Sequence, residues 1–251
     1  MGAHFHENDT PHGAAYLARP WQLNPPDVFY RKVVSENTPA AERALLDYGL
    51  IAEGVRATAG GPYPHRFMAS CITASIELAV KRDPKLRYIS RREIMGRSPN
   101  RTLSIPCSVT FNGQHYDRPY TPDGIFGIEY ADKAKLFFMI EADRRTEPTT
   151  RSSLETSSYL RKTLQLREVI GKGGYKRHFG MTAGMLSLTF TTRQENELID
   201  MVENTIGKNR YMLFTTLEEF AGYLKAPDVM FDLLTRPYHR AGYADFFIDK
   251  P

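Results

Sequence analysis

The chain has 251 residues, of which 25% are charged, and a formal net charge of +4. That length allows one large domain or a small and a medium one, and the mild basic excess is compatible with nucleic acid without requiring it. No apolar run approaches the ~20 residues of a membrane span. The two cysteines, Cys71 and Cys107, lie in no CxxC or His/Cys cluster, which argues against a zinc ribbon and for reduced thiols in a cytoplasmic protein.

Residues 1–15 carry His4, His6 and His12 among Gly, Asn and Pro, with no apolar core; this predicts a disordered leader rather than a signal peptide. After the loop Asn24-Pro25-Pro26, residues 28–34 read as a short strand. Thr38-Pro39 opens a helix that Gly49 stops. Ala59-Gly60-Gly61-Pro62 is the candidate domain boundary.

Residues 65–82 read as a helix with an apolar stripe of Phe67, Ile72, Ile76 and Val80, ended by Asp83-Pro84. Strands are expected over 88–95 and 103–111, with Asn112-Gly113 as a hairpin turn. Strands over 121–126 and 136–143 follow. Ser152-Ser153-Leu154-Glu155 has the form of a capping box, opening a helix to about residue 170. Residues 171–174 read as a flexible basic loop, which lacks the Walker spacing. A strand is expected over 184–190. Thr192-Arg193-Gln194-Glu195 is a second capping box, for a helix to about residue 206. Residues 211–214 read as a strand, and Thr216-Leu217-Glu218-Glu219 as the start of one more helix. The aromatic tail, 231–251, reads as loop-like and packed on the core. From Gly61 the order is α-β-β-β-α-β-α-β-α. The fold class is α/β (α+β): a mixed sheet with helices on both faces.

Two carboxylate-bearing strand ends stand out: Thr121-Pro122-Asp123-Gly124-Ile125-Phe126 and Leu136-Phe137-Phe138-Met139-Ile140-Glu141-Ala142-Asp143. Alternation puts Met139, Glu141 and Asp143 on one face and Phe138, Ile140 and Ala142 on the other. A hairpin pairing would bring Asp123 near Glu141. Two carboxylates on rigid strands suit a divalent cation and metal-assisted phosphodiester cleavage. The ordinary alternative is acidic residues at solvent-facing strand ends.

These phrases resemble the restriction-endonuclease-like superfamily, marked by P-D…(D/E)-x-K. More closely, Pro122-Asp123-Gly124-Ile125-Phe126 and Phe138-Met139-Ile140-Glu141-Ala142-Asp143-Arg144-Arg145-Thr146-Glu147 look like the replication-relaxation family of plasmid and mobile-element proteins. His65 at a helix start and Tyr159 on a late helix fit as well. The resemblance covers roughly residues 61–220. It implies a restriction-endonuclease-like domain over 61–251, behind a partial winged-helix-like segment over 16–60.

It also implies DNA as a partner, with replication or relaxation proteins beside it, and Mg²⁺ or Mn²⁺ as cofactor if the site is active. Asp123 and Glu141 would then hold metal, with Glu77 from the preceding helix as the third acid. This chain departs from the pattern where the superfamily has lysine, carrying Asp143 instead. Lys162, on one helix face with Tyr159 and Leu166, is the candidate replacement. The catalytic set is therefore Asp123, Glu141, Asp143 and Lys162. Arg118, Arg144, Arg145 and Arg151 are candidate phosphate contacts, or else Arg144 and Arg145 simply neutralise nearby acids. His65 and His115 are candidate bases or structural imidazoles. Three functional readings remain: a metal-dependent DNA endonuclease, an inactive nuclease fold used to bind DNA or protein, and a purely structural interaction protein.

Overall fold

The computed structural model of the protein describes residues 63–144, 147–192, 195–218 and 228–251, with two short strands ahead of them. The chain divides into two units, Met1–Ala59 and Gly60–Pro251. In the first, β1 (Ala18–Pro20) pairs antiparallel with β2 (Ser35–Asn37). The leader, the strand over 28–34 and the helix after Thr38, and so most of the winged-helix-like segment, lie outside the described residues.

The second unit opens with α1 (Tyr63–Arg82). Its Pro64 is in the first turn, where a missing N–H is harmless. Met68, Ala69, Ile72, Ile76, Ala79 and Val80 form a buried stripe at helical spacing. Lys81 and Arg82 complement the carbonyl end of the helix.

β3 (Arg87–Ile89) is shorter than the 88–95 strand expected from its apolar residues. Ser90 ends it by accepting a hydrogen bond from the Glu93 amide at 3.2 Å, so the chain turns into α2 (Arg91–Arg97) and buries Ile94 and Met95. Of the expected 103–111 strand only β4 (Ser108–Phe111) forms, paired with β5 (Gln114–Asp117). Asn112 and Gly113 both have positive φ, as the two-residue turn requires.

β6 (Gly124–Glu129) and β7 (Lys135–Asp143) are antiparallel. The capping box at Ser152 does not start a helix. The Leu154 amide donates instead to Gln114 at 2.8 Å, and Ser158 is the N-cap of α3 (Tyr159–Leu166). The helix expected to about residue 170 ends in a π-turn (Arg167–Gly171), and of the expected loop only Lys172-Gly173 separate that turn from α4 (Gly174–Phe179). β8 (Gly184–Thr191), α5 (Asn196–Ile206) and β9 (Met212–Thr216) follow. The helix expected after Thr216 falls largely outside the described residues. The tail is not a loop: after a 3-10 turn (Phe231–Leu234), β10 (Tyr238–Arg240) and β11 (Tyr243–Phe246) extend the sheet.

The result is a mixed seven-stranded sheet in the order β11-β10-β9-β8-β7-β6-β3 flanked by helices, as the α/β reading expects. β7, β8 and β9 are mutually parallel, and the other pairs are antiparallel. The odd-even alternation in β7 sorts as the sequence indicates. Phe138, Ile140 and Ala142 join the core built on α1 with Phe126, Leu188 and Leu213. The opposite face carries Met139, Glu141 and Asp143 under α3, whose Tyr159 ring lies against Phe214. Phe126 and Phe138 stack at 4.9 Å in the centre of the α1-side core. Phe138→Ala is expected to cost about 3–5 kcal/mol of stability, measured by urea denaturation.

Candidate active site

Extending the β6–β7 register by one residue from Gly124↔Ile140 puts Asp123 opposite Glu141. The Asp123 amide donates to the Ile140 carbonyl at 2.9 Å. Its carboxylate is then held from two directions. Oδ2 accepts from the Ala142 amide at 2.8 Å, and Oδ1 accepts from His65 Nε2 at 2.7 Å. The imidazole is held above its ordinary value of 6.5, chiefly by this hydrogen bond, against the opposing effect of burial.

Glu141 sits further inside, with a side chain only 2% exposed. Oε1 accepts a short hydrogen bond from the Tyr120 hydroxyl. Oε2 faces Lys162 Nζ at 3.0 Å. Burial pushes the Glu141 carboxyl up, and Lys162 and the Tyr120 hydrogen bond oppose that push. Burial would lower the Lys162 ammonium, yet Glu141, Asp123 and Glu147 together hold it above the ordinary lysine value. Lys162 therefore stands as a cation between acids, with Glu147 Oε2 at 3.7 Å on its second side. Burial also pushes the Tyr120 phenol well up, so it remains a hydrogen-bond donor.

Asp143 lies two residues beyond Glu141 on the same face, ~7 Å along the strand. It is buried, and its Oδ2 accepts from the Thr191 hydroxyl at 3.0 Å. On that face of β8, Thr189 bonds the Tyr159 hydroxyl at 2.6 Å. The cluster thus occupies the carboxyl ends of parallel strands, the usual place for ligands in open α/β sheets.

Of the residues singled out in the sequence, the fold brings together Asp123, Glu141, Lys162 and His65, with Asp143 at the margin. Glu77 is elsewhere. It pairs with Lys81 at 2.5 Å, 12 residues past His65 and so ~18 Å along the helix axis. The helix contributes His65 to the cluster instead.

Arg118 is exposed, and Arg151 donates to the Ser157 carbonyl at 3.0 Å. Arg144 is half-buried. Arg145 lies outside the described residues. Neither Arg118 nor Arg151 is paired with Asp123 or Glu141. His115 is remote from the cluster, on the β4–β5 hairpin, where it bonds Thr110 at 3.2 Å.

Tyr120, Thr189 and Thr191 carried no sequence signal. They are placed by strand register and by one isolated bridge, Ile105↔Tyr120.

Among the described residues, no three His, Cys, Asp or Glu side chains form a ready metal-holding group. Two adjacent carboxylates still fit Mg²⁺ or Mn²⁺, which favour oxygen donors. Mg²⁺ in particular is commonly held by one or two carboxylates and completes its shell with water and substrate phosphate.

Comparison with protein-family models, curated proteins and solved structures gives no match for this chain.

Two outcomes test the site. Lys162→Met leaves a buried carboxylate unpaired, an expected loss of about 3–5 kcal/mol. Lys162→Met with Glu141→Leu is expected to recover much of it, and equal instability of single and double variants would contradict the pairing. Because the folded His65 titrates above its unfolded value, its stabilising contribution is full below about pH 6.5 and fades as pH rises through the folded value. Urea denaturation in EDTA is expected to separate wild type from His65→Gln more widely at acid pH than at alkaline pH. A pH-independent gap would contradict this.

Proposed function

We propose that the chain is a cytoplasmic DNA-interacting protein of the replication-relaxation type, acting in plasmid or mobile-element replication or relaxation. Its restriction-endonuclease-like site would hydrolyse phosphodiesters. One observation carries this reading: Lys162 Nζ lies 3.0 Å from Glu141, beside Asp123. A helix supplies the cation that the strand motif lacks at Asp143. The order of parts supports it too: a leading helix, an antiparallel pair bearing the two acids, and a following helix bearing the lysine.

Asp123 and Glu141 would hold Mg²⁺ or Mn²⁺, which when bound supplies Lewis-acid activation of water and of the phosphoryl oxygen. Lys162 offers a fixed positive charge where negative charge grows on the phosphate. Tyr120 and Thr191 fix the rotamers of Glu141 and Asp143, and His65 orients Asp123. Arg118, Arg144, Arg145 and Arg151 would contact the phosphate backbone.

A second reading, an inactive nuclease fold that binds DNA or protein, is favoured by a different observation. Every carboxylate oxygen of Asp123 and Glu141 already has a partner, so a metal would share those oxygens with His65, the Ala142 amide, Tyr120 or Lys162.

Nicking of supercoiled plasmid decides between the two. The expected result is cleavage that needs Mg²⁺ or Mn²⁺ and falls at least ~100-fold in Glu141→Ala and Lys162→Ala, with partial activity in Lys162→Arg. Absence of nicking by wild type, together with salt-sensitive DNA binding, would establish the binding module instead.

A further inference from the structure

We propose that the surface formed by α2, the segment after it and α4 is a docking face for the phosphate backbone of a DNA duplex. This rests on the reading of the chain as a DNA-interacting protein, though not on its being a nuclease. Residues 91–101 and 167–177 hold eight Arg and Lys against two Glu, a net +6 where the whole chain has +4. Both acids already have cations. Glu93 pairs with Arg87 and Arg97, each at 3.0 Å. Glu168 pairs with Arg167 at 3.1 Å and Lys172 at 2.8 Å. Arg101, Lys176 and Arg177 are exposed and have no acid partner among the described residues.

The fold joins the two segments. The His178 carbonyl accepts from Ser98 Oγ at 3.2 Å and from Asn100 Nδ2 at 3.0 Å, and His178 Nε2 donates to the Thr102 carbonyl at 2.8 Å. Arg101 lies between Asn100 and Thr102, and Arg177 lies beside His178, so cations from both segments meet at one place. Gly180, at φ 67°, closes the contact, because a Cβ there would lie 3.1 Å from the Pro99 ring. The stretches 94–116 and 169–194, which contain no Asp or Glu, come together here. A patch of one sign repels itself, and the counterions that a polyanion releases on binding offset that cost.

The surroundings narrow the partner. Among the described residues the exposed large apolar side chains are Leu78, Val229, Tyr243 and Phe247, all outside these segments. The face therefore offers no large apolar group to sink into a bilayer and no aromatic anchor for a protein partner. Its exposed neutral groups include the Thr102 and Thr182 hydroxyls, a type that contacts phosphate oxygens, and the planar fork of Arg101 and Arg177 matches phosphate geometry. Lys162 and Lys172 lie ~15 Å apart along α3 and the π-turn. That is the rise of about 4–5 base pairs, so the face stands within about half a duplex turn of the candidate active site.

The test is fluorescence anisotropy of the full chain in EDTA with two short DNA duplexes of unrelated sequence. Both are expected to bind alike, since phosphate contacts do not read bases. Arg101→Gln/Lys176→Gln/Arg177→Gln alters only exposed side chains. It is expected to weaken both duplexes at least ~10-fold at ~0.1 M salt and to lower the log–log salt slope by about 3, with an unchanged circular dichroism spectrum. Arg101→Lys/Arg177→Lys keeps the charges and is expected to keep the slope. Lys81→Gln/Lys85→Gln/Lys250→Gln removes the same net charge from exposed positions elsewhere and is expected to bind within about twofold of wild type, because distant exposed charges are screened. Equal losses in the two glutamine triples, or wild-type affinity in the first, overturn the proposal and leave the DNA reading standing. No duplex binding by wild type overturns both. Capture of phosphatidylserine vesicles in place of duplex, lost in the first triple, would assign the face to a membrane and overturn the proposal too. Binding through this face without any nicking would refute the nuclease reading and leave this one standing.

Discussion

A lysine ammonium held against a carboxylate with almost no access to water is the interaction on which the candidate site depends. Taking either charge out of water alone is expensive, and the pair is tolerated only when its remaining hydrogen-bonding capacity is met. Tyr120 satisfies the second oxygen of Glu141, and Glu147 approaches the other side of Lys162. The pair also ties α3 to the far end of β7, joining helix and sheet by something more directional than apolar contact. A neighbouring carboxylate, Asp123, is held separately by His65 and a backbone amide. The cluster is therefore two linked acid–base pairs side by side.

Strand direction gives the cluster its place. β6 runs against β7, so the start of one and the end of the other meet at the same edge of the sheet. β8 and β9 run with β7, so Thr191 and Thr216 finish at that edge too. Residues far apart in the chain converge there because the crossovers through α3 and α5 return each parallel strand to a common end. The other face of the same strands is occupied by Phe138, Ile140 and Phe190 against α1 and is rigid for that reason. A stiff apolar layer behind and polar groups in front is what a preorganised site requires.

Much of this was legible in the chain. The period-two alternation of residues 136–143 sorts core from site, because side chains in a strand must alternate faces. Asn112-Gly113 announces its turn through positive φ at both residues. Local signals misled where a tertiary partner competed for the same groups. Ser152 has the residues of a capping box, but Gln114 claims the Leu154 amide and the helix waits for Ser158. The aromatic tail carries no strong alternation, yet the open edge of β9 offers backbone partners and draws it into the sheet. Glu77 has the right residue type on the right helix, but helical rise carries it ~18 Å from His65.

By itself the sequence determined the α/β class, the split of β7 into an apolar and an acidic face, and the meeting of Asp123 with Glu141. All three follow from local periodicity and from one short connection between neighbouring strands. Only the tertiary structure decided that Lys162, 21 residues beyond Glu141, is the cation that completes the pair, that His65 and not Glu77 comes from α1, and that the Tyr120 hydroxyl bonds Glu141. These depend on how far each helix runs before it meets the sheet and on which side chain the crossing leaves facing the strand end. Packing fixes those quantities, and no repeat in the chain encodes them.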